Sequence, residues 1–105
     1  MASTLEVVSL NNRTSVQSGT TVDFLTAKAH VSAVISVGST VEDGLVAIEA
    51  SHDGAIWVQK AALAPMTGHV CEYNSQGGAF RYWRGSIVRA VAGGGTVRVT
   101  FMEAD

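Results

Sequence analysis

Charge is scarce in this chain. Asp, Glu, Lys and Arg make up 15% of its 105 residues, against ~25% in an ordinary soluble domain. A surface with so few charges is poorly solvated, and cover by other subunits is one way to keep it in solution. The charges nearly cancel, at a net −2, which leaves no basic footprint for nucleic acid. Arg81, Arg84, Arg89 and Arg98 do gather in the last third, but Glu72, Glu103 and Asp105 share it. That mixture reads as a solvated or ion-paired face. The single cysteine, Cys71, excludes an intramolecular disulfide. No apolar run approaches the ~18 residues of a membrane span. The opening Met1-Ala2-Ser3-Thr4-Leu5-Glu6 has neither the basic nor the apolar part of a secretory leader. The expectation is a product made in a reducing cytoplasm, with neither membrane nor nucleic acid as partner.

What is abundant is Val, Ala, Thr, Ser and Gly, a mixture that favours strands joined by tight turns. Alternation of apolar and polar residues predicts strands over 5–10, 20–25, 29–37, 45–51, 56–60, 68–73, 80–92 and 96–102. In the third, Val31, Ala33, Ile35 and Val37 share one face, with Val34 as an apolar exception on the other. Residues 11–19, 38–44 and 74–78 read as loops or turns. Residues 61–67, with the only proline, read as a connection with room for a helical turn at 60–63. Asp53-Gly54 predicts a two-residue type I′ hairpin turn, which sets Trp57 opposite Ala50 as a core anchor. Gly93-Gly94-Gly95 predicts a second hairpin, turning at Gly94-Gly95, with Ala92 opposite Val97, Ala90 opposite Val99 and Val88 opposite Phe101. The expected fold is all-β: one β-sandwich or jelly-roll-like domain over residues 1–105, of seven to eight short antiparallel strands.

A catalytic or metal site is not expected, and neither is a cofactor. His69-Val70-Cys71-Glu72 resembles the start of a zinc-deaminase motif, but the Pro-Cys-x-x-Cys half is missing. His69 and Cys71 would supply two ligands where a structural zinc needs four, so Cys71 reads as a buried thiol. His52-Asp53 could pair a base with an orienting acid, yet Asp before Gly is first a turn residue. Glu42-Asp43 lacks the ligand spacing of a calcium loop. Gly93-Gly94-Gly95 leads into a strand, whereas a phosphate cradle leads into a helix.

Residues 80–92 are apolar on both faces. If Phe80, Tyr82, Val88 and Ala90 face the core, Trp83, Ile87 and Val91 point outward as a candidate interface. A bulge near Gly85 would reverse that choice.

Several stretches resemble a known group. Residues 46–58, with Ser51-His52-Asp53-Gly54-Ala55-Ile56-Trp57, resemble the Ser-x-Asp-Gly-x-x-Trp hairpin of small β-sandwich proteins in tailed bacteriophages and prophages. Gly78-Ala79-Phe80-Arg81-Tyr82-Trp83-Arg84 is similar to their Arg-Tyr-x-Arg strand, and residues 93–100 to their final Gly-Thr-Val hairpin. Gly19-Thr20-Thr21-Val22-Asp23 looks like their early strand. The resemblance spans roughly two-thirds of the chain. It implies a virion accessory role, decorating or cementing a capsid or sitting in tail and fibre assemblies, with no enzyme activity. The expected partners are further copies of the chain and the major capsid or other virion proteins. The alternative is a carbohydrate-binding or adhesive module of a tail or fibre. In that case a glycan would stack on aromatics beside Arg81 and Arg84.

Overall fold

The alternating segments fold as strands because their apolar residues recur at the two-residue period of a half-buried sheet. The computed structural model describes residues 6–28, 30–67, 71–74 and 79–103. Nine strands run through them: β1 (Glu6–Arg13), β2 (Gln17–Ser18), β3 (Val22–Lys28), β4 (Val31–Gly38), β5 (Asp43–Ser51), β6 (Val58–Leu63), β7 (Cys71–Asn74), β8 (Phe80–Ala92) and β9 (Thr96–Glu103). The fold is all-β, with no helix among the described residues.

The strands form two antiparallel sheets. The first has the order β1-β9-β4-β7. The second has the order β2-β8-β5-β6, and β3 also pairs with β8. One edge of β8 is taken by β5, so β2 and β3 share the other. The core lies between the sheets. Val31, Ala33, Ile35, Val97, Val99 and Phe101 line it from the first sheet. Val46, Ile48, Ala50, Trp83, Ile87 and Val91 line it from the second. As the alternation in β4 predicts, Val34 sits half-exposed on the far face.

Two expected hairpins are different in the structure. Strands β8 and β9 do not pair: β9 lies between β1 and β4, and β8 belongs to the other sheet. Their apolar faces meet across the sandwich instead of side by side. Gly85 makes this approach close enough, since a Cβ there would stand 2.9 Å from a Val99 methyl. The three glycines therefore turn a corner between sheets, with Gly93 at φ 114° and Gly94 at φ 90°.

The β5–β6 connection is longer than two residues, because Ala50 faces Val58 and not Trp57. Its backbone is satisfied by side chains. The Ser51 hydroxyl accepts from the N–H groups of Asp53 and Gly54 at 3.2 and 2.9 Å. The Asp53 carboxylate accepts from Ala55 and Ile56 at 2.9 and 3.0 Å. A loop capped this way has no need of the tight turn. Asp53 thus serves the backbone, as its position before glycine implies.

The expected connection over 61–67 begins as strand, since β6 runs to Leu63 opposite Val46, which also excludes the helical turn. Strand β1 extends through the expected loop to Arg13 by means of bulges, and Asn74 ends β7. His69 and residues 75–78 of the turn expected over 74–78 lie outside the described residues.

Candidate interaction surface

Strand β8 positions most of the side chains considered as sites. Trp83, Ile87 and Val91 do not face outward: they are 0%, 1% and 9% exposed, inside the core. Val88 and Ala90, expected inside, are exposed, and Tyr82 is half-buried on the outer face. The inversion arises at the start of the strand. Phe80 and Trp83 both turn inward, three residues apart, where the pairing with β3 shifts register. The Trp83 indole N–H donates back to the Phe80 carbonyl at 3.1 Å, so no buried donor is stranded. The parity running from Phe80 therefore fails before Gly85 is reached. Trp83 then packs against Phe80, Tyr73 and Phe101, with ring centroids 6.0 to 6.4 Å apart.

The second sheet carries its polar chemistry along β8, at Arg84 on the outward face and at Arg81 and Arg89 near the two ends of the strand. Each arginine of β8 meets a carboxylate on a neighbouring strand. Arg81 grips Asp23 through two nitrogens, at 2.6 and 2.9 Å. Arg84 donates to Glu49 at 2.8 Å, and the Ser86 hydroxyl donates to the same oxygen at 2.6 Å. Arg89 reaches Asp43 at 3.0 Å at the far end. This bears out the ion-paired reading for these three. Arg98, on β9, has a buried Nε without a hydrogen-bond partner among the described residues.

Two of these arginines also lie over aromatic rings. The Arg84 guanidinium carbon stands 4.1 Å from the Trp57 ring centroid, and that of Arg81 stands 5.0 Å from the Tyr82 centroid. Trp57 is therefore half-buried on the outer face, not a core anchor. Its position beyond the capped loop, one residue before β6, sends it there. Ala47, Ser51 and Ser86 share the outward parity of β5 and β8 yet are buried, so this layer works as a small second cover.

The carboxylates respond to these contacts. The Arg81 hydrogen bonds, and then the Leu25 N–H, hold Asp23 below the usual carboxylate range. The N–H groups of Ile56 and Ala55, and the Ser51 hydroxyl, bring Asp53 down to about 2. His52 stacks on Phe80 with ring centroids 4.5 Å apart, and the Lys60 ammonium lies 5.0 Å from the same ring. Cys71 is half-buried, with its thiol 3.7 Å from the Ala64 carbonyl. Among the described residues, no three His, Cys, Asp or Glu side chains gather as metal ligands would.

A cleft of about 160 Å³ opens between β1 and β2, lined by Ser9, Asn11, Arg13, Gln17 and Thr20 among others. None of its lining residues is aromatic. The cleft and the aromatic rings are thus in separate places. Among the described residues, the exposed large apolar side chains are Val16, Leu25, Ile56, Val58, Met66 and Val88. None of them could be told from a core residue by alternation alone.

No protein-family model matches the chain. No curated protein matches it in sequence. Among solved structures, the chain is similar in fold to the SPBc2 prophage-derived protein YomS, with a TM-score of 0.69 and 11% identity. The likeness covers 100% of this chain and 96% of that one. At that identity it speaks for the fold: this two-sheet arrangement, over its whole length, is one that a prophage-derived protein also has.

Proposed function

We propose that the chain is a virion structural accessory protein of a tailed bacteriophage or prophage. In this reading it decorates or cements the capsid through protein contacts and performs no catalysis. The observation that carries the reading is the end-to-end fold likeness to a prophage-derived protein. The Ser51-to-Trp57 hairpin and the low charge content agree with it. Mechanically, a rigid sandwich would bridge neighbouring shell subunits by burying apolar surface. The glycan-binding alternative is less well served. A sugar stacks on a free aromatic face, whereas Trp57 and Tyr82 already carry guanidinium groups and the cleft lacks aromatics.

The test is immunogold labelling of particles induced from a host that encodes the chain, read by electron microscopy. Gold on heads is the expected result. Gold on tails or fibres would move the role to the adhesive alternative, to be followed on glycan arrays. Particles without label, from cells that express the chain, would overturn the virion reading.

A further inference from the structure

We propose that the end of the second sheet where β8 begins is a self-complementary surface through which two copies of the chain associate across a two-fold axis. Leu25 and Ile56 are its anchors. Strands β3 and β5 flank β8, and Asp23 and Ser51 both stand opposite Tyr82. Both strands are antiparallel to β8, so both run on toward the same end of the sandwich. Leu25 and Ile56 lie just beyond those two positions. They are 71% and 75% exposed, the most exposed of the large hydrophobics among the described residues. Leu25 lies on β3 and Ile56 in the loop from β5 to β6, so their supports are two to three strand spacings apart, about 10–14 Å.

The two side chains are presented in the same way. Asp23 accepts the N–H of Leu25 at 2.8 Å, and Asp53 accepts that of Ile56 at 3.0 Å. Arg81 holds Asp23 in turn and lies over Tyr82, and a Cβ at Gly54 of the second loop would stand 3.8 Å from the same ring. Both segments thus border Tyr82. Leu25 is held at φ 69°, a left-handed conformation that an aliphatic residue adopts at a cost. Glycine or asparagine would relieve that cost, so stability alone does not account for a leucine there. Strain kept at an exposed apolar residue points to a role in contact.

Charge decides the occupant. Among the described residues around this end, Asp23, Asp53 and Glu103 are balanced by Lys28, Lys60 and Arg81, with Arg81–Asp23 and Lys28–Glu103 already paired within the chain. Lys28 aligns with Phe80 and lies 3.4 Å from Glu103, an ion pair without hydrogen-bond geometry. Nucleic acid or an anionic membrane would need a positive excess. A strongly charged protein partner would need the opposite excess. A balanced patch with both signs around two apolar anchors suits its own copy, because a two-fold contact needs only self-complementarity. The inference does not depend on the virion reading.

The test is sedimentation velocity on the full chain, from about 5 µM to about 1 mM. The parent is expected to pass from monomer to dimer within that range. Leu25→Gly keeps the left-handed backbone and removes the side chain; it should melt no lower than the parent, yet raise the dimer Kd by at least about tenfold. Ile56→Ser should do the same to the Kd. Val88→Ser removes an exposed valine further along β8 and should associate as the parent does. A parent that stays monomeric throughout would overturn the proposal. So would association that survives both Leu25→Gly and Ile56→Ser, or that Val88→Ser alone abolishes.

Discussion

The guanidinium of Arg84 lies over the indole of Trp57, 4.1 Å from its centroid, and is held there by a 2.8 Å hydrogen bond to Glu49. Three strands' worth of sequence thus meet on the outside of a sheet whose other tryptophan fills the inside. The two tryptophans should respond differently to removal. Trp83→Ala is expected to cost about 3–5 kcal/mol, as for other buried large aromatics. Trp57→Ala should cost about 1–2 kcal/mol, since its ring is half-exposed and cation–π contacts at such sites are modest. A double-mutant cycle between Trp57 and Arg84, read in denaturant melts, should return a coupling of about 0.5–1 kcal/mol. Equal losses for the two tryptophans would contradict the placement.

Gly85 sits where β8 faces β9 across the core. A methyl group there would press on the Val99 side chain at 2.9 Å. Gly85→Ala is therefore expected to destabilise by about 1–3 kcal/mol through overpacking. Pairing it with Val99→Ala should return part of the loss, because the smaller side chain vacates the contested space. Additive losses in thermal melts would sink this explanation.

Acid should loosen the Ser51–Trp57 loop in a defined window. Asp53 is ordinarily protonated near 3.8 and stays ionised in the folded chain down to about 2. A depressed carboxylate contributes stability that is present above its unfolded pKa and lost as pH falls through the folded one. Asp23 shifts in the same direction. The stability of the parent should thus decline from about pH 4 toward pH 2. Asp53→Asn should be less stable near neutrality and flatter across that interval. If the variant and the parent have parallel profiles there, Asp53 is not the group responsible.

The sheets are legible because alternation in β9 is clean and in β4 is broken only by Val34, with Ser32, Ser36, Arg98 and Thr100 marking the outward face. Strand β8 was harder. Its 13 residues outrun the core, so Arg81 and Arg89 near its ends share the inward parity without being buried. The middle of the strand held the better signal: Arg84 and Ser86 fall on one face, and Trp83, Gly85 and Ile87 on the other. Read from Phe80, the parity was wrong; read from Gly85 outward, it matches the structure. Trp57 was misplaced for another reason. Asp-Gly indicates a turn, but Ser51 and Asp53 also have side chains able to cap a longer loop, and local spacing does not choose between them. The exposed anchors Leu25 and Ile56 had no sequence signal at all, because exposure of an aliphatic residue depends on where the loops come to rest.

The pairing of β1 with β9 sets the order in which this chain can fold as it is made. While the ribosome works, β1 waits for β9, and β2 and β3 wait for β8. Only the β5–β6 hairpin can close locally. Most of the apolar faces therefore stay uncovered until β8 and β9 have been made, and folding is left to a long-range closure that is slow and exposed to aggregation. Lower growth temperature and slower expression should raise the soluble yield more than any single surface substitution.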